Sequence, residues 1–381
     1  MSLSGTRIID LTRVISGPFC TQQLADLGAD VIKIETPKGD PLRAQGSKIG
    51  GMSAYFASFN RNKRSVVLDL RRNEGMAALQ TLIEKADVVV DNFKPGTMAK
   101  MGLSDVDLAA LNPRLIACHI SGFGQTGPHA ERPSFDFVAQ AMSGFMWTNG
   151  EQGGPPLRSG LPISDLVAGL YGALGVAAAL ATPKDDRVFK SIDVAMTDSM
   201  ISLLAYMATE IFATGHPPMR AGNDHPLVAP YGLFDTSDGH IALAVANDEI
   251  VDRLFTLLEC RHLLDDPRFA TNQDRMRNRD EIRQEIQSRL LKDTTAGWIA
   301  CLNDAGVPAG PVQDVATALS DPQTVHRQMV LDMEEGAGAM KILGFPLKQS
   351  IDAPSLRRPA PKLGEHTSAV LAEIGAVPSN G

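Results

Sequence analysis

The sequence has few cysteines and none of the patterns that mark common metal or disulfide sites. Its 381 residues contain four cysteines, Cys20, Cys118, Cys260 and Cys301, which stand far apart and form no Cys-x-x-Cys pair. A disulfide framework and a zinc knuckle are therefore not expected. The eight histidines form no His-Glu-x-x-His pattern, so a zinc site of that type has no support either. Cys118 and His119 are adjacent, but neighbouring side chains on a strand face opposite ways and cannot form a nucleophile–base pair.

The chain also lacks an excess of basic residues and a long membrane-spanning run. Its net charge of −8 does not favour nucleic-acid binding. The N-terminal residues show no signal-peptide pattern. The uncharged run at residues 166–182 is slightly shorter than the roughly 20 residues that a membrane span needs. We therefore expect a globular cytoplasmic protein with no metal, no nucleic-acid partner and no membrane partner, in which this run forms a buried helix.

One segment matches the sequence of the dinucleotide-binding fingerprint but lacks the helix that this motif needs. Residues Gly122-Phe-Gly-Gln-Thr-Gly127 follow a predicted strand and match Gly-x-Gly-x-x-Gly, which would indicate an NAD-dependent dehydrogenase. That motif needs a helix to begin at its third glycine, whereas Pro128 follows at once and Pro133 comes soon after. The dehydrogenase is therefore the weaker alternative, and the segment is better interpreted as a ligand-facing loop. No phosphate-binding Gly-x-x-x-x-Gly-Lys-Ser/Thr loop occurs.

Strand and helix patterns alternate through the first half of the chain. This alternation predicts an α/β fold with a doubly wound, mostly parallel, Rossmann-like sheet. A Pro- and Gly-rich stretch at 216–222 predicts a linker to a smaller α+β unit. The predicted strands cover residues 7–11, 31–35, 65–70, 88–91, 115–120, 190–194 and 240–246. The predicted helices cover residues 18–27, 73–85 with Asn73 as its cap, 166–182, 197–215, 248–259, 280–291 and 295–305, and residues 306–311 form a rigid turn.

Asp165 stands directly before the uncharged run. By position alone, the first interpretation is a helix N-cap, because Asp accepts backbone N–H bonds and suits the positive end of a helix. The alternative is a carboxylate nucleophile or base that is held against an apolar wall.

Basic residues are concentrated in the loops beside the predicted strands. Arg13, Arg71 and Lys94 follow strands, which places them at the carboxyl edge of the sheet, where open α/β sheets bind ligands. Any one of them can be a solvated loop charge. As a set in a chain of net negative charge, they indicate a small polyanionic ligand.

Ordered segments along nearly the whole chain resemble the class III coenzyme A transferases. This CaiB/BaiF family includes formyl-CoA transferase and carnitine–CoA transferase, and it also contains α-methylacyl-CoA racemases. The resembling segments are Asp10-Leu-Thr-Arg-Val14, Ser16-Gly-Pro-Phe19, residues 24–35, Gly39-Asp-Pro-Leu-Arg43, residues 60–65, Leu68-Asp-Leu-Arg71, Asp91-Asn-Phe-Lys-Pro-Gly96, residues 121–128, residues 135–140 and Leu363-Gly-Glu-His-Thr367.

The resemblance implies a covalent mechanism, because Asp165 falls where the catalytic aspartate of the family belongs. With an ordinary pKa near 3.9, an aspartate is ionised at neutral pH and needs no partner base. It would attack an acyl-CoA thioester to form a mixed anhydride and a CoA thiolate. The thiolate would then form an aspartyl-CoA thioester, from which an acceptor carboxylate takes the CoA in reverse order. Backbone N–H groups of the Gly-rich loop could hold the oxyanion.

The resemblance also implies where coenzyme A binds. No cofactor is expected, because coenzyme A enters as the substrate thioester. Lys100 stands where transferases often have Arg, and the glycine-rich loop of the formyl-CoA transferase small domain has no counterpart. The implied CoA-binding residues are Ile15, Ser16, Leu68, Asp69, Leu70, Arg71, Asn92, Phe93, Lys94, Lys100, Pro133, Ser134, Phe135 and Asp136.

Two alternatives share the CoA site. Family racemases have Gly-His-Asp where this chain has Ser134-Phe135-Asp136, and a phenyl ring cannot carry a proton, so the racemase is the runner-up. A CoA-binding relative without catalysis is disfavoured by the presence of Asp165, Asp136 and Gln140. By resemblance, residues 1–215 and 325–381 form the large CoA-binding domain and residues 216–324 the small domain with its linkers. The partner implied by the family is a second copy, in an interlocked homodimer.

Overall fold

The computed structural model describes residues 1–217, 219–335 and 338–376, and the chain divides into two compact units. Unit 1 contains residues 1–145, 158–205 and the described residues from Pro322 onward, and unit 2 contains residues 146–157 and 206–321. The division differs from the expected boundaries, since 146–157 and 206–215 belong to unit 2. The reason is local packing: the guanidinium of Arg220 lies 4.8 Å from the Trp147 ring, and Tyr206 stacks on His225.

A six-stranded sheet forms the centre of unit 1. Every neighbouring pair is parallel, and the strand order is β3-β2-β1-β4-β5-β6. This is the doubly wound order, so the predicted fold class is confirmed. All six strands point the same way, and the order in which the chain adds them to the sheet reverses between the adjacent strands β1 and β4. The strands are β1 (Arg7–Asp10), β2 (Asp30–Glu35), β3 (Lys63–Val67), β4 (Val88–Asp91), β5 (Ile116–Ser121) and β6 (Lys190–Ala195).

Helices cover both faces of this sheet. The longer helices of unit 1 are α1 (Ser16–Asp26), α2 (Ala54–Asn60), α3 (Asn73–Glu84), α4 (Asp105–Leu111), α5 (Asp136–Met142), α6 (Ile163–Leu180) and α7 (Met196–Ser202), and the next helix along the chain, α8 (Ala205–Thr214), leads into unit 2. On one face, α1 and α6 bury Leu24 and Val176 against strand residues such as Ile8. On the other face, α3 packs Leu79 against Ile9. Burial of both faces explains why the strands read as apolar runs rather than as alternating patterns.

Close contact between α1 and α6 depends on glycine. A Cβ atom on Gly169 would lie 2.7 Å from the Ser16 carbonyl oxygen, and one on Gly172 would lie 3.0 Å from Cys20 Sγ. By length and composition, α6 is the one helix in the described ranges that could cross a membrane, and one third of it is buried in the fold. Core helices of globular proteins can have the same length and composition, and α6 packs on α1, β5 and β6.

Two local expectations in this unit are wrong. The single helix expected over 197–215 is two helices, α7 and α8, because Ala205 adopts a left-handed φ of 43°. Asn73 is the first residue of α3 rather than its cap; Arg72 occupies the cap position without a capping side chain.

Unit 2 has a three-stranded antiparallel sheet in the order β9-β8-β7, against which α9–α11 bury a separate core. Its elements are β7 (Tyr231–Asp235), β8 (His240–Ala244), α9 (Asp248–Leu257), α10 (Arg279–Leu290), α11 (Thr295–Asp304) and β9 (Ala309–Pro311). The segment expected as a rigid turn at 306–311 therefore ends in a strand. The chain then returns to unit 1 with the hairpin strands β10 (Val330–Glu335) and β11 (Gly338–Leu343) and with α12 (Thr367–Glu373).

Short elements complete the chain. The two-residue strands Lys48–Ile49 and Met52–Ser53 pair with each other. Short helices occupy Pro41–Ala44, Thr97–Lys100, Phe145–Thr148, Lys184–Asp186, Arg261–Asp265, Asn272–Arg277, Val315–Ser320 and Pro322–His326.

Candidate active site

A cavity of about 550 Å³ lies at the carboxyl ends of β1, β4 and β5. Loops that follow these strands form its walls, namely residues 13–16, 92–95, 130 and 132–135, and the Asp165 side chain lines it as well. The volume lies in the range of small-molecule sites. Because the strand order reverses between β1 and β4, this is also where doubly wound folds bind ligands.

Asp165 is in the first turn of α6, not at its N-cap. The helix begins at Ile163, and Pro162 occupies the cap position without a side-chain capping bond. The N-cap interpretation is therefore wrong. Since Gly169 permits close approach to the Ser16 carbonyl one turn later, α6 brings Asp165 up to the loop that follows β1.

The pKa of Asp165 is raised to about 7. Burial is the main cause and the charge of Asp136 is the second, while the Ser16 side chain acts in the opposite direction. The expectation of an ordinary aspartate pKa therefore needs correction: at neutral pH the resting site holds protonated and ionised forms in similar amounts. An ionised carboxylate of this kind is a stronger base and a better nucleophile than an exposed one.

Asp136 joins α5 to the first turn of α6. Its carboxylate accepts hydrogen bonds from the Ser164 backbone N–H at 2.9 Å, from the Ser164 hydroxyl at 2.8 Å and from Gln140 Nε2 at 2.8 Å. Ser164 and Gln140 are fully buried. Although Asp136 was expected to contact CoA, it is not among the residues that line this cavity, and three donors hold its carboxylate.

Asn92 fixes the loop that follows β1. Its Oδ1 accepts from the Arg13 N–H at 3.0 Å, and its Nδ2 donates to the Arg13 carbonyl at 2.8 Å and to Ser16 Oγ at 3.3 Å. Within this loop Val14 has a φ of 70°, which is rare for a β-branched residue and costs of order 1–3 kcal/mol. The Val14 N–H points at the Asp40 carboxylate, with 3.3 Å to Oδ2.

Two buried lysines stabilise the loop that follows β1 and the start of α1. Lys33 Nζ donates to the Thr12 carbonyl at 2.7 Å and pairs with Asp40 at 3.0 Å. Lys63 Nζ pairs with Asp10 at 3.0 Å and donates to the Pro18 carbonyl at 3.0 Å. Lys63 is fully buried in β3, and the sequence patterns did not predict this network. The available signal was the presence of charged residues inside apolar strands.

His119 supports the loop that follows β4. Its Nδ1 lies 2.5 Å from Asp91 Oδ2 and its Nε2 lies 3.0 Å from Asp105 Oδ1. Burial lowers the pKa of His119, but hydrogen bonds and charges from the two aspartates outweigh it and raise the pKa to about 9. Asp91 also accepts from the Phe93 N–H at 3.1 Å. The imidazolium therefore anchors the loop and is not free to act as a base.

The implied CoA-binding residues fall into two groups. Eight of them line the cavity beside Asp165: Ile15, Ser16, Asn92, Phe93, Lys94, Pro133, Ser134 and Phe135. The residues of the other group do not line this cavity. Leu68 and Asp69 line a different cavity, of about 590 Å³, beside α3 and α12.

The remaining implied residues do not line the Asp165 cavity. Arg71 is exposed and pairs with Asp69 at 2.9 Å. Leu70 packs at the edge of the α3 core, and Lys100 is exposed at the end of a short helix. Sequence position alone could not decide whether these residues line the same cavity, because the lining depends on how the loops fold in space.

The Gly-rich loop offers fewer free donors than expected. The Gly124 N–H donates to Ser121 Oγ at 3.0 Å, and the Gln125 N–H donates to Asp193 at 2.8 Å. These two amides are therefore occupied and cannot form an oxyanion hole without rearrangement. Across the described parts of the chain, no group of three or more His, Cys, Asp or Glu side chains is arranged to hold a metal ion.

A doubly wound sheet with a carboxylate of raised pKa and three cations in the cavity at its switch point is the kind of site that binds an anionic small molecule. Comparison with known proteins specifies the class: the chain belongs to CoA-transferase family III, whose sequence model matches residues 3–367. The dehydrogenase alternative is thereby set aside, and the protein is a family III CoA-transferase.

Several relatives are similar over nearly their full length. The chain is 40% identical to the succinate–glutarate CoA-transferase of Agrobacterium fabrum, with 98% of this chain and 96% of the relative covered. It is also 40% identical to the acetyl-CoA:oxalate CoA-transferase of Acetobacter aceti, with 98% and 95% covered. A crystal structure of a CaiB/BaiF family protein from Brucella suis is 39% identical and superposes with a TM-score of 0.86, covering 97% of this chain and 98% of that one.

Proposed function

We propose that the protein is an acyl-CoA:carboxylate CoA-transferase that works through a covalent aspartyl-CoA thioester on Asp165. The observation that carries this proposal is the Asp165 carboxylate, raised in pKa and lining a cavity whose other charged residues are cations. The names of the relatives support it, since they transfer CoA between carboxylic acids.

The proposed reaction uses Asp165 twice. Its carboxylate oxygen attacks the thioester carbon, the C–S bond breaks, and the CoA thiolate leaves a mixed anhydride. The thiolate then attacks the aspartyl carbonyl carbon, which forms the Asp165–CoA thioester and releases the donor acid as a carboxylate. An acceptor carboxylate attacks this thioester, and the same two exchanges in reverse produce the new acyl-CoA and free Asp165.

Surrounding residues have distinct parts in this proposal. Arg13 and Lys94 would bind phosphate groups of CoA, because they flank the switch point and carry the charge that phosphate needs. The apolar face of α6 would keep water from the anhydride. Asp136 keeps the ionised nucleophile at high energy in the resting state and is itself held by Ser164 and Gln140.

The test is to incubate the protein with a panel of acyl-CoA thioesters and to analyse the Asp165 peptide by mass spectrometry. We expect a CoA adduct on this peptide that disappears when a carboxylate acceptor is added. Deuterium uptake from solvent into a 2-methylacyl-CoA, without any adduct or carboxylate exchange, would instead establish the racemase. Phe135 lines the cavity where a racemase needs a proton carrier, so no such uptake is expected.

Activity should fall steeply as the pH drops through about 7. Only the ionised Asp165 attacks, and its pKa is raised to about 7. The kcat/KM for the acyl-CoA, which reports ionisations of the free enzyme, should therefore be constant above that pH and lose about tenfold per pH unit below it. A profile that stays flat down to pH 5 would show that Asp165 ionises like an ordinary aspartate in the working enzyme.

We also propose that the protein is a cytoplasmic homodimer, interlocked as the family resemblance implies. Large apolar side chains on α5 and α6 support a second copy as the partner: Phe137 is 53% exposed and Leu174 is 63% exposed. Apolar surface of this kind is usually covered in an assembly. Light scattering should give twice the chain mass of 40.8 kDa, and a monomer at micromolar concentration would contradict the proposal.

A further inference from the structure

Three basic side chains line the cavity that contains Asp165. Arg13 and Lys94 come from the loops that follow the neighbouring strands β1 and β4. Arg132 lines the same cavity but belongs to residues 130–135, which lead into α5. Asp165 is the acidic residue in this lining, so the cations exceed the carboxylates three to one. A ligand with anionic groups at more than one place suits this arrangement.

Arg132 is held in place but has no carboxylate partner within the described ranges. Its backbone N–H donates to the His129 carbonyl at 2.9 Å, and its Nη1 lies 3.3 Å from His129 Nδ1. The guanidinium carbon lies 5.9 Å from the centre of the Phe123 ring. The contacts orient the side chain and leave most of its five N–H donors available for a ligand.

The loop that contains Arg132 is attached beside the nucleophile. Four residues after Arg132, Asp136 accepts two hydrogen bonds from Ser164, which directly precedes Asp165. Arg132 nevertheless forms no ion pair with Asp165 in the described structure. The guanidinium and the Asp165 carboxylate therefore line one cavity without pairing with each other, so both are available to the same ligand.

We propose that Arg132 is a specificity-determining residue that binds the distal carboxylate of a dicarboxylic acid while the other carboxyl group reacts at Asp165. The inference rests on the proposed function and adds the substrate class and the residue that recognises it. A guanidinium matches a carboxylate with two parallel hydrogen bonds, whereas a monocarboxylic acid of equal length offers nothing to it. The acyl transfer itself proceeds as described above, with no additional co-reactant.

The experiment is a competition between glutarate and valerate, which have five carbons each but differ in the distal carboxylate. Both acids compete for the same CoA-loaded enzyme, so the ratio of glutaryl-CoA to valeryl-CoA does not depend on the donor or on the fraction of active protein. The donor is the thioester that gives the strongest adduct in the panel above. The wild type should favour glutaryl-CoA, and Arg132→Met should lower the product ratio at least about tenfold, as expected when a charged hydrogen-bonding partner is lost.

Two matched variants complete the design. Arg132→Lys keeps the charge but loses the planar pair of N–H donors, so its product ratio should lie between those of the wild type and Arg132→Met. Arg114→Met removes an exposed arginine that pairs with Asp185 outside the cavity, and its ratio should equal that of the wild type.

An unchanged ratio in Arg132→Met, or a wild type without preference for glutarate, would overturn the assignment. A raised KM for the thioester alone, at constant ratio, would mean that Arg132 binds CoA instead. A wild type that acylates neither acid would refute the proposed function and this inference with it.

Discussion

Asp165→Asn and Asp165→Ala should lose CoA transfer by roughly 10⁴-fold or more, which is the scale of loss when a covalent nucleophile is removed. Neither side chain can form the anhydride or hold CoA as a thioester. The expected result is therefore the loss of both turnover and the CoA adduct, measured by product formation and by intact-protein mass. Turnover at a tenth of the wild-type rate would show that Asp165 is not the covalent residue.

A matched control is available in Asp198. It is also in the first turn of a helix, α7, but it is exposed and lies outside the cavity lining. Asp198→Asn should keep full activity. The same acid-to-amide change should thus abolish activity at one first-turn position and leave it unchanged at the other. This difference separates the loss of a nucleophile from a general effect on the helix dipole.

The thermal midpoint shows whether the inactive variant is folded, and we also expect it to change in a defined direction. Burial and Asp136 raise the pKa of Asp165 to about 7. Between the ordinary aspartate pKa and that value the folded protein binds more protons than the unfolded chain, so the stability associated with Asp165 falls as the pH rises. Asp165→Asn should therefore melt above the wild type at pH 8, by a margin that shrinks toward pH 5. Such a trade of stability for activity is common at active sites.

Lys63→Met should lower the free energy of unfolding by about 3–5 kcal/mol, because it leaves the Asp10 carboxylate buried without its partner. Lys63 Nζ also donates to the Pro18 carbonyl and to Asn60 Oδ1, both at 3.0 Å. These contacts support the loop that lines the cavity, so kcat/KM should fall as well. A thermal midpoint roughly 4–6 °C below that of the wild type is the expected measurement.

Lys190 provides the control for this prediction. It begins β6 as Lys63 begins β3, but its side chain is exposed, so Lys190→Met should change the midpoint by less than about 2 °C. The double variant Asp10→Asn/Lys63→Met should recover part of the loss, since it removes both charges together. If Lys63→Met melts like the wild type, the buried pair does not stabilise the loop.

The fold was predictable because its signals are local. Six short apolar runs separated by helical patterns predict a parallel sheet, and the structure has these six strands at nearly the predicted positions. The ends of elements were less accurate: α6 begins at Ile163, so the capping interpretation of Asp165 failed. Helix ends depend on which backbone groups find partners, and a single sequence does not specify those partners.

The candidate site was predictable only in part. Arg13, Asn92 and Lys94 follow the adjacent strands β1 and β4, so their presence in one cavity follows from strand order. Leu68 and Asp69 follow β3, which is separated from β4 by two strands, and they line a different cavity. Arg132 was not singled out at all, because its segment has no regular pattern that would place it beside Asp165.

By itself, the sequence determined the class of fold, the family and the identity of the candidate nucleophile, since periodicity and ordered motifs are properties of the chain alone. Only the tertiary structure decided the pKa of Asp165, the burial of Lys33 and Lys63, and which cations share its cavity. The physical reason is that desolvation and charge interactions depend on distance in space. Asp136 and Asp165 are 29 positions apart in the chain, yet hydrogen bonds through Ser164 bring them together.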